Sequence, residues 1–214
     1  MSPKVTIVDY GMGNLYSVQR AFEYLGADTQ LSDRPQDVLE ARFLVLPGVG
    51  AFGDGMRELS RRHLVEPLRE RASAGRKILG ICLGMQLFFE ASEEFGEHEG
   101  LGLLSGRVVA IPRCGADGKP RRIPHVGWTD LQAPFGRTGW SGTPFERLAV
   151  PSAMYFVHSY TAVPSDAGDR LADCDYGGTR LSAAVQRKSV IGFQFHPEKS
   201  GSAGLAVLMA ILGQ

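Results

Sequence analysis

An excess of charge of either sign is missing from this 214-residue chain, in which 23 lysines and arginines balance 23 aspartates and glutamates. That balance lacks the electrostatic footprint of a nucleic-acid binder and the self-repulsion of an acidic solvating tail. Cysteine is scarce as well. Cys82, Cys114 and Cys174 are an odd number without Cys-x-x-Cys spacing, which indicates neither a disulfide framework nor a zinc site and leaves a reducing cytoplasm as the simplest home. Long apolar runs are absent, and Val5–Val8 near the start is too short for a signal peptide or a membrane span. No fixed-period repeat, heptad pattern or low-complexity tract interrupts the sequence. The expectation is one α/β domain over 1–214, with partners recognised by shape and local chemistry and with neither nucleic acid nor membrane among them.

What is present is organised around Gly80-Ile81-Cys82-Leu83-Gly84-Met85-Gln86, which follows Lys77-Ile78-Leu79. An apolar strand running into Gly-x-Cys-x-Gly and then into a helical pattern is the cysteine form of a nucleophile elbow, a sharp strand-to-helix turn that presents a reactive atom. Glycine at 80 and 84 lets helix and strand approach closely, and a position at a helix N-terminus favours thiolate over thiol. Taken alone, a cysteine after an apolar strand is also read as a small buried hydrophobe. A base elsewhere in the chain is needed to decide between the two.

In chain order, Val5–Val8 reads as a buried strand, Asp9–Asn14 as the loop at its end, and Ser17–Leu25 as a helix with Val18, Ala21, Phe22 and Leu25 on one face. Gly11-x-Gly13 lacks the third glycine of a dinucleotide fingerprint, since Tyr16 stands there, so the loop is a glycine turn or a partner-facing segment. Thr29–Leu31 is a short strand, and Pro35–Glu40 a short helix capped by Asp33 or Ser32. Arg42–Leu46 is a third strand, ending in Pro47-Gly48-Val49-Gly50. Glycines there free the peptides around Val49 to turn amides toward an oxyanion, although without Cys82 a plain Pro-Gly turn is the favoured reading of these residues. Helical stretches at Met56–Leu59 and Leu64–Ala74, stopped by Gly75, lead to the elbow, whose helix is expected to run from Leu83 to about Glu90.

This alternation predicts a mostly parallel central sheet with helices on both faces, and active residues at the strands' carboxyl ends. The second half adds an antiparallel region. Gly106–Ile111 and Val126–Leu131 read as strands joined by a turn-rich loop containing Cys114–Arg122, with Arg121-Arg122 either solvated or contacting phosphate or a partner. Met154–Tyr160 reads as one aromatic strand, in which His158 is a core residue or a base. Leu181–Val185 and Val190–Phe195 form a hairpin, and Leu205–Leu212 an amphipathic terminal helix with Ser202 as a possible cap.

The hairpin ends in Gly192-Phe193-Gln194-Phe195-His196-Pro197-Glu198-Lys199-Ser200. Pro197 stops the strand just after His196, and Glu198 is two residues on, which suits a proton relay: His196 exchanges a proton with a thiol while Glu198 orients the imidazole. Cys82, His196 and Glu198 are therefore the expected catalytic triad.

The elbow together with the His-Pro-Glu turn resembles the class I, triad-type glutamine amidotransferases. Pro47–Phe52, Asp9–Asn14, Pro124-His125-Val126-Gly127-Trp128 and Tyr155–Tyr160 narrow the resemblance to the glutaminase subunits of imidazole glycerol phosphate synthase, a family of histidine biosynthesis. It implies that Cys82 attacks the side-chain amide of glutamine, that His196 protonates departing ammonia, and that water then releases glutamate. It further implies that the Leu83 amide and a peptide near Val49 or Gly50 hold the oxyanion, on a strand that reorganises when the partner is loaded. Gln86 and Glu94 would contact the glutamine, and the Ser159-Tyr160 backbone would hold its amino-acid end. No cofactor or metal is called for. Ammonia would pass to a cyclase subunit of (β/α)8 barrel type in a heterodimer, contacted by Trp128, Tyr155 and Lys199, with Asn14 on a loop that signals from it. The Cys114–Arg122 loop is longer than the family usually needs.

Overall fold

Residues 2–213 are described by a computed structural model. Three strands in the first half are buried along almost their whole length: β1 (Lys4–Val8), β3 (Phe43–Gly48) and β4 (Ile78–Cys82). Near-continuous apolar runs of this kind belong at the centre of a sheet covered on both faces. They pair in parallel, with β2 (Asp28–Ser32) outside β1, and β3 lies between β1 and β4. Side chains alternate across the sheet as the pleat requires. Val5, Ile7, Val45, Leu79 and Ile81 enter a core with Phe22 of α1 (Leu15–Tyr24) and Leu208 of the terminal helix, whereas Val8, Leu44, Leu46 and Ile78 enter a second core on the other face. The second core is closed by α2 (Pro35–Glu40), α3 (Phe52–Arg61), α4 (Val65–Ser73) and the elbow helix α5 (Leu83–Gln86), which contribute Val38, Leu59, Leu68 and Leu83.

The elbow helix is shorter than expected. It is a single turn, and Phe89–Ser92, read as helical in part, is instead strand β5 in a separate four-stranded sheet with β6 (His98–Glu99), β7 (Leu104–Ala110) and β10 (Tyr160–Pro164). The run Leu87-Phe88-Phe89 is apolar on all sides, so periodicity does not separate helix from strand there. One turn also carries much less dipole than the longer helix would.

The strands that follow extend the large sheet: β8 (His125–Gln132), β9 (Ala153–His158), β11 (Arg170–Tyr176), β12 (Thr179–Arg187) and β13 (Val190–Phe193). Its order is β2-β1-β3-β4-β13-β12-β11-β8-β9, parallel as far as β13 and antiparallel beyond it. The hairpin β12–β13 forms as expected, and its second strand pairs in parallel with β4, placing Phe193 beside Ile81. That register brings the His196 turn to the same sheet edge as Cys82.

Two strands expected to be neighbours are not. β7 lies in the small sheet and β8 in the large one, and the single strand read over Met154–Tyr160 breaks at Ser159 into β9, which pairs with β8, and β10, which pairs with β7. Period-two patterning marks a strand but not its partner. Two caps also differ. Arg34 stands at the N-cap of α2 without a side-chain bond, while Ser32 instead accepts from the Arg34 amide; Ser200, not Ser202, precedes the terminal helix α6 (Gly201–Leu212). That helix is mostly apolar, covering the first core.

Candidate active site

Cys82 sits at the last position of β4 with φ 54° and ψ −111°. A left-handed φ at a residue with a Cβ is costly and survives only where the surroundings hold it. Here the glycines hold it. A Cβ on Gly80 would lie 2.5 Å from Phe88 and 2.7 Å from the carbonyl of Gly84, and one on Gly84 would collide with the Leu46 carbonyl oxygen. Both glycines are therefore demanded by the packing of α5 against β3 and β4. Cys82 is nearly buried, and the first-turn amides beginning with Leu83 have no intrahelical acceptor.

The expected base, His196, arrives from the neighbouring strand. His196 follows β13, and its Nδ1 meets Glu198 Oε1 at 2.8 Å, with both side chains buried. A carboxylate accepts only, so Nδ1 carries a proton and donates it to Glu198. Nε2 is buried and has no partner of ordinary hydrogen-bond geometry. Burial alone would depress the imidazolium, but the nearby Cys82 sulfur and the bonded Glu198 carboxylate outweigh it and push His196 up to about 10. The direction of that shift favours the protonated imidazole.

The base turn is stapled to β9. The His196 amide donates to the Tyr155 carbonyl at 2.9 Å, and the Ser200 hydroxyl donates to the His196 carbonyl at 2.6 Å while accepting from the Tyr155 amide at 3.0 Å. Ser200 was invisible as a site residue in the sequence, and only the pairing of β9 reveals its purpose.

Along β3, Pro47 and Gly48 remain in the strand, opposite Ile81 and Cys82, so only Val49–Ala51 form the connecting loop. Val49 is 42% exposed, and Gly50 has φ +119°, a conformation that favours glycine. Gly48 packs against the elbow: a Cβ there would strike the Tyr10 hydroxyl and come within 3.0 Å of the Leu83 Cβ. Tyr10 is fully buried, and its hydroxyl has no hydrogen-bond partner among the described residues. Glu94 accepts from the Phe52 amide at 2.6 Å, fixing the start of α3 directly after this loop. Burial raises its carboxyl, while the Phe52 amide and nearby His98 pull the other way.

The remaining expected residues fall into two groups. Gln86 is buried, and its Nε2 donates to the Tyr160 carbonyl at 3.1 Å and to Gln194 Oε1 at 2.9 Å. Ser159 marks the break between β9 and β10. Trp128, Tyr155 and Lys199 come together at the surface: the Trp128 and Tyr155 rings meet edge-on at 6.0 Å, and Lys199 Nζ lies 5.9 Å over the Tyr155 ring. Trp128 is 57% exposed, with Val126 also open beside it on β8. Asn14 lies apart from that cluster in sequence and caps α1, its Oδ1 accepting from the Ser17 amide at 3.4 Å.

His158 is not placed as a base. Its Nδ1 lies 2.8 Å from the Tyr160 carbonyl and its Nε2 3.0 Å from His125 Nδ1, while His125 Nε2 meets the Thr129 hydroxyl at 2.9 Å. The carbonyl accepts only, so His158 Nδ1 donates, its Nε2 accepts from His125, and His125 Nε2 accepts from Thr129. Burial lowers His125 to about 4 and His158 to about 3, keeping both neutral. Arg121, read as a loop-end cation, is tied down by carbonyls: it donates to Tyr176 and Cys114 at 2.7 Å each, while Arg122 stays exposed.

The family model for glutamine amidotransferase class-I matches residues 6–210. An imidazole glycerol phosphate synthase subunit HisH 1 from Legionella pneumophila (strain Lens) is 47% identical over 208 residues, 97% of this chain and 98% of its own length. The HisH subunit of Bacillus velezensis is 44% identical over 204 residues, 95% of this chain and 93% of its own. The chain belongs to the class-I glutamine amidotransferases, in the HisH family. A crystal structure described as a glutamine amidotransferase shares the fold of this family member, with a TM-score of 0.72 at 19% identity over 98% of this chain and 99% of that one. Within the amidotransferase fold, the strained cysteine of β4 and the histidine after β13 occupy adjacent parallel strands, as a shared sheet edge requires.

Proposed function

We propose that this chain is the glutaminase subunit of imidazole glycerol phosphate synthase, releasing ammonia from glutamine at Cys82 for use by a separate cyclase subunit of (β/α)8 barrel type. The observation that carries the proposal is the pairing of a cysteine at φ 54° with a histidine that is hydrogen-bonded to Glu198 and follows the neighbouring parallel strand. In this reading the Cys82 sulfur, as thiolate, attacks the side-chain carbonyl carbon of glutamine. The carbonyl oxygen becomes an oxyanion that accepts from the Leu83 amide and from a peptide amide at Val49 or Gly50. His196 Nε2–H delivers its proton to the amide nitrogen, the C–N bond breaks, and ammonia leaves a γ-glutamyl thioester. Neutral His196 then takes a proton from water, which attacks the thioester and frees glutamate. The sulfur departs as thiolate and the imidazolium is restored, with Glu198 orienting the ring throughout.

Gln86, Glu94 and the Ser159-Tyr160 backbone are proposed to line the glutamine pocket. Trp128, Tyr155 and Lys199 are proposed to meet the cyclase, since an exposed aromatic cluster next to a cation has the composition of an interface anchor. Lys199 follows Glu198, and Tyr155 bonds to the His196 turn through its own backbone, so this surface is mechanically joined to the base. Asn14 is proposed as a second contact on the loop after β1. The cytoplasm, where three unpaired cysteines persist as thiols, is the proposed location.

Mixing the purified chain with a cyclase subunit loaded with its nucleotide substrate tests the proposal. Glutamate release rises by orders of magnitude over the isolated chain if the reading is right. An equal rate with and without the cyclase contradicts it.

A further inference from the structure

We propose that Gln194 is a catalytic residue that holds the Cys82 sulfur by an N–H···S hydrogen bond, and that Gln86 is the positioning residue that fixes which end of the Gln194 amide faces the sulfur. The inference rests on Cys82 being the nucleophile, but it concerns residues outside the Cys82, His196, Glu198 relay.

Side-chain amides are ambiguous because their nitrogen and oxygen look alike, so orientation has to come from the network. One backbone carbonyl settles it here. The Tyr160 oxygen can only accept, and it lies 3.1 Å from the Gln86 side-chain nitrogen. That nitrogen can only donate, so its second neighbour, 2.9 Å away on Gln194, is the Gln194 oxygen. The Gln194 nitrogen is then left on the far side, 3.7 Å from Cys82 Sγ. Each polarity follows from the one before it, starting from an atom that cannot be turned over. His158 Nδ1–H, on the same Tyr160 oxygen at 2.8 Å, leaves that carbonyl fully engaged and the Gln86 amide without an alternative orientation.

Burial gives the arrangement its strength. Gln194 is fully buried, as are its chain neighbours Phe193 and Phe195, and Gln86 is nearly so. A polar side chain buried to this extent is expensive unless bonded, and neither amide has a buried atom without a partner among the described residues. A donor aimed at sulfur in such surroundings favours the charged, nucleophilic form over the neutral thiol and restrains the sulfur's direction. The one-turn α5 supplies little dipole, so a side-chain donor has work to do that a longer helix would have shared.

The chain carries its own controls for a test by iodoacetamide alkylation, followed peptide by peptide over a range of pH. Cys82 reports the site, Cys114 is an exposed reference, and Cys174 is buried and becomes labelled only if the fold opens. In Gln194→Met the Cys82 profile is expected to move to higher pH while Cys114 is unchanged and Cys174 stays unlabelled. Gln194→Glu is expected to move it further, since its second carboxylate oxygen faces the sulfur. Gln86→Glu should reproduce the displacement without touching Gln194, because an acceptor at position 86 turns the Gln194 amide over and aims its oxygen at sulfur. With the cyclase present, Gln194→Met should lower kcat by about tenfold or more with KM for glutamine changed little.

Unchanged Cys82 profiles in folded Gln194→Met and Gln194→Glu, or a loss confined to KM, would overturn the proposal. If Cys174 becomes labelled in these variants, the wild-type chain decides: the side-chain ¹⁵N-amide signal of Gln194 should shift when Cys82 alone is alkylated, and a stationary signal overturns the assignment. Cys82→Ala retaining glutaminase activity would instead remove the nucleophile reading, a failure distinct from either result.

Discussion

The carbonyl oxygen of Leu46 occupies the space into which Gly84 would project a Cβ, so the strand before the Val49–Ala51 loop and the turn after Cys82 are in direct backbone contact. The approach couples β3 to the elbow without any side chain between them. Gly84→Ala forces one of the two apart, and neither is free to yield because β3 and β4 are paired along their length. A loss of about 3 kcal/mol or more is expected from overpacking against backbone, with loss of activity beyond what the stability change explains. Chemical denaturation together with glutaminase assays at a temperature where the variant is folded checks both parts.

His196 gives the site a characteristic pH response. Its folded pKa, near 10, lies above the ordinary histidine value of 6.5. Its contribution to stability is therefore fully present below about pH 6.5 and is lost as the pH rises through about 10. NMR of the imidazole should show the protonated form persisting at pH 8, and Glu198→Gln, which removes the carboxylate bonded to Nδ1, should bring its titration down toward neutral pH. Glu198→Gln should also cost less activity than Cys82→Ala or His196→Ala, since Glu198 orients and stabilises but transfers no proton.

The His125–His158 pair acts in the opposite direction. Both are held neutral in the fold, His125 near 4 and His158 near 3, whereas the unfolded chain protonates them near 6.5. Stability present above about pH 6.5 is thus lost as the pH falls toward 4. A His125→Gln variant should lose less stability than the wild type between pH 7 and pH 5, as read from denaturation midpoints at the two values.

Tyr10 presents a buried hydroxyl with no partner among the described residues, against β3 at Gly48. Leaving a polar group unbonded in a core costs stability, so Tyr10→Phe should stabilise the isolated chain by about 1 kcal/mol. For a chain of this length that corresponds to a rise in Tm of roughly 2–4 °C. A calorimetric scan of the variant showing a lower Tm would mean that the hydroxyl is bonded.

Much of this site was legible in the sequence because its parts are local. Cys82 is announced by the two glycines that its backbone needs, and His196 by a proline that ends its strand. Residues whose purpose depends on a distant partner were not legible. Gln194 reads as an ordinary polar position in a hairpin until Gln86, 108 residues away, is seen against it. Arg71 reads as one more cation on a solvated helix, yet it is buried and donates to the carbonyls of Val38, Leu39 and Ala41 on one side and Lys77 on the other, fastening the start of β4 to α2. Strand partners failed for the same reason. β7 and β8 carry clear alternation, but nothing in either states that they belong to different sheets.

Acid quenching during glutamine turnover, followed by peptide mass spectrometry, tests the central claim most directly. With the cyclase and its nucleotide present, a γ-glutamyl adduct should be found on the peptide containing Cys82 and should be absent from Cys82→Ala, which should release no glutamate. An adduct on Cys114 or Cys174 instead, or undiminished glutamate release by Cys82→Ala, would contradict the account.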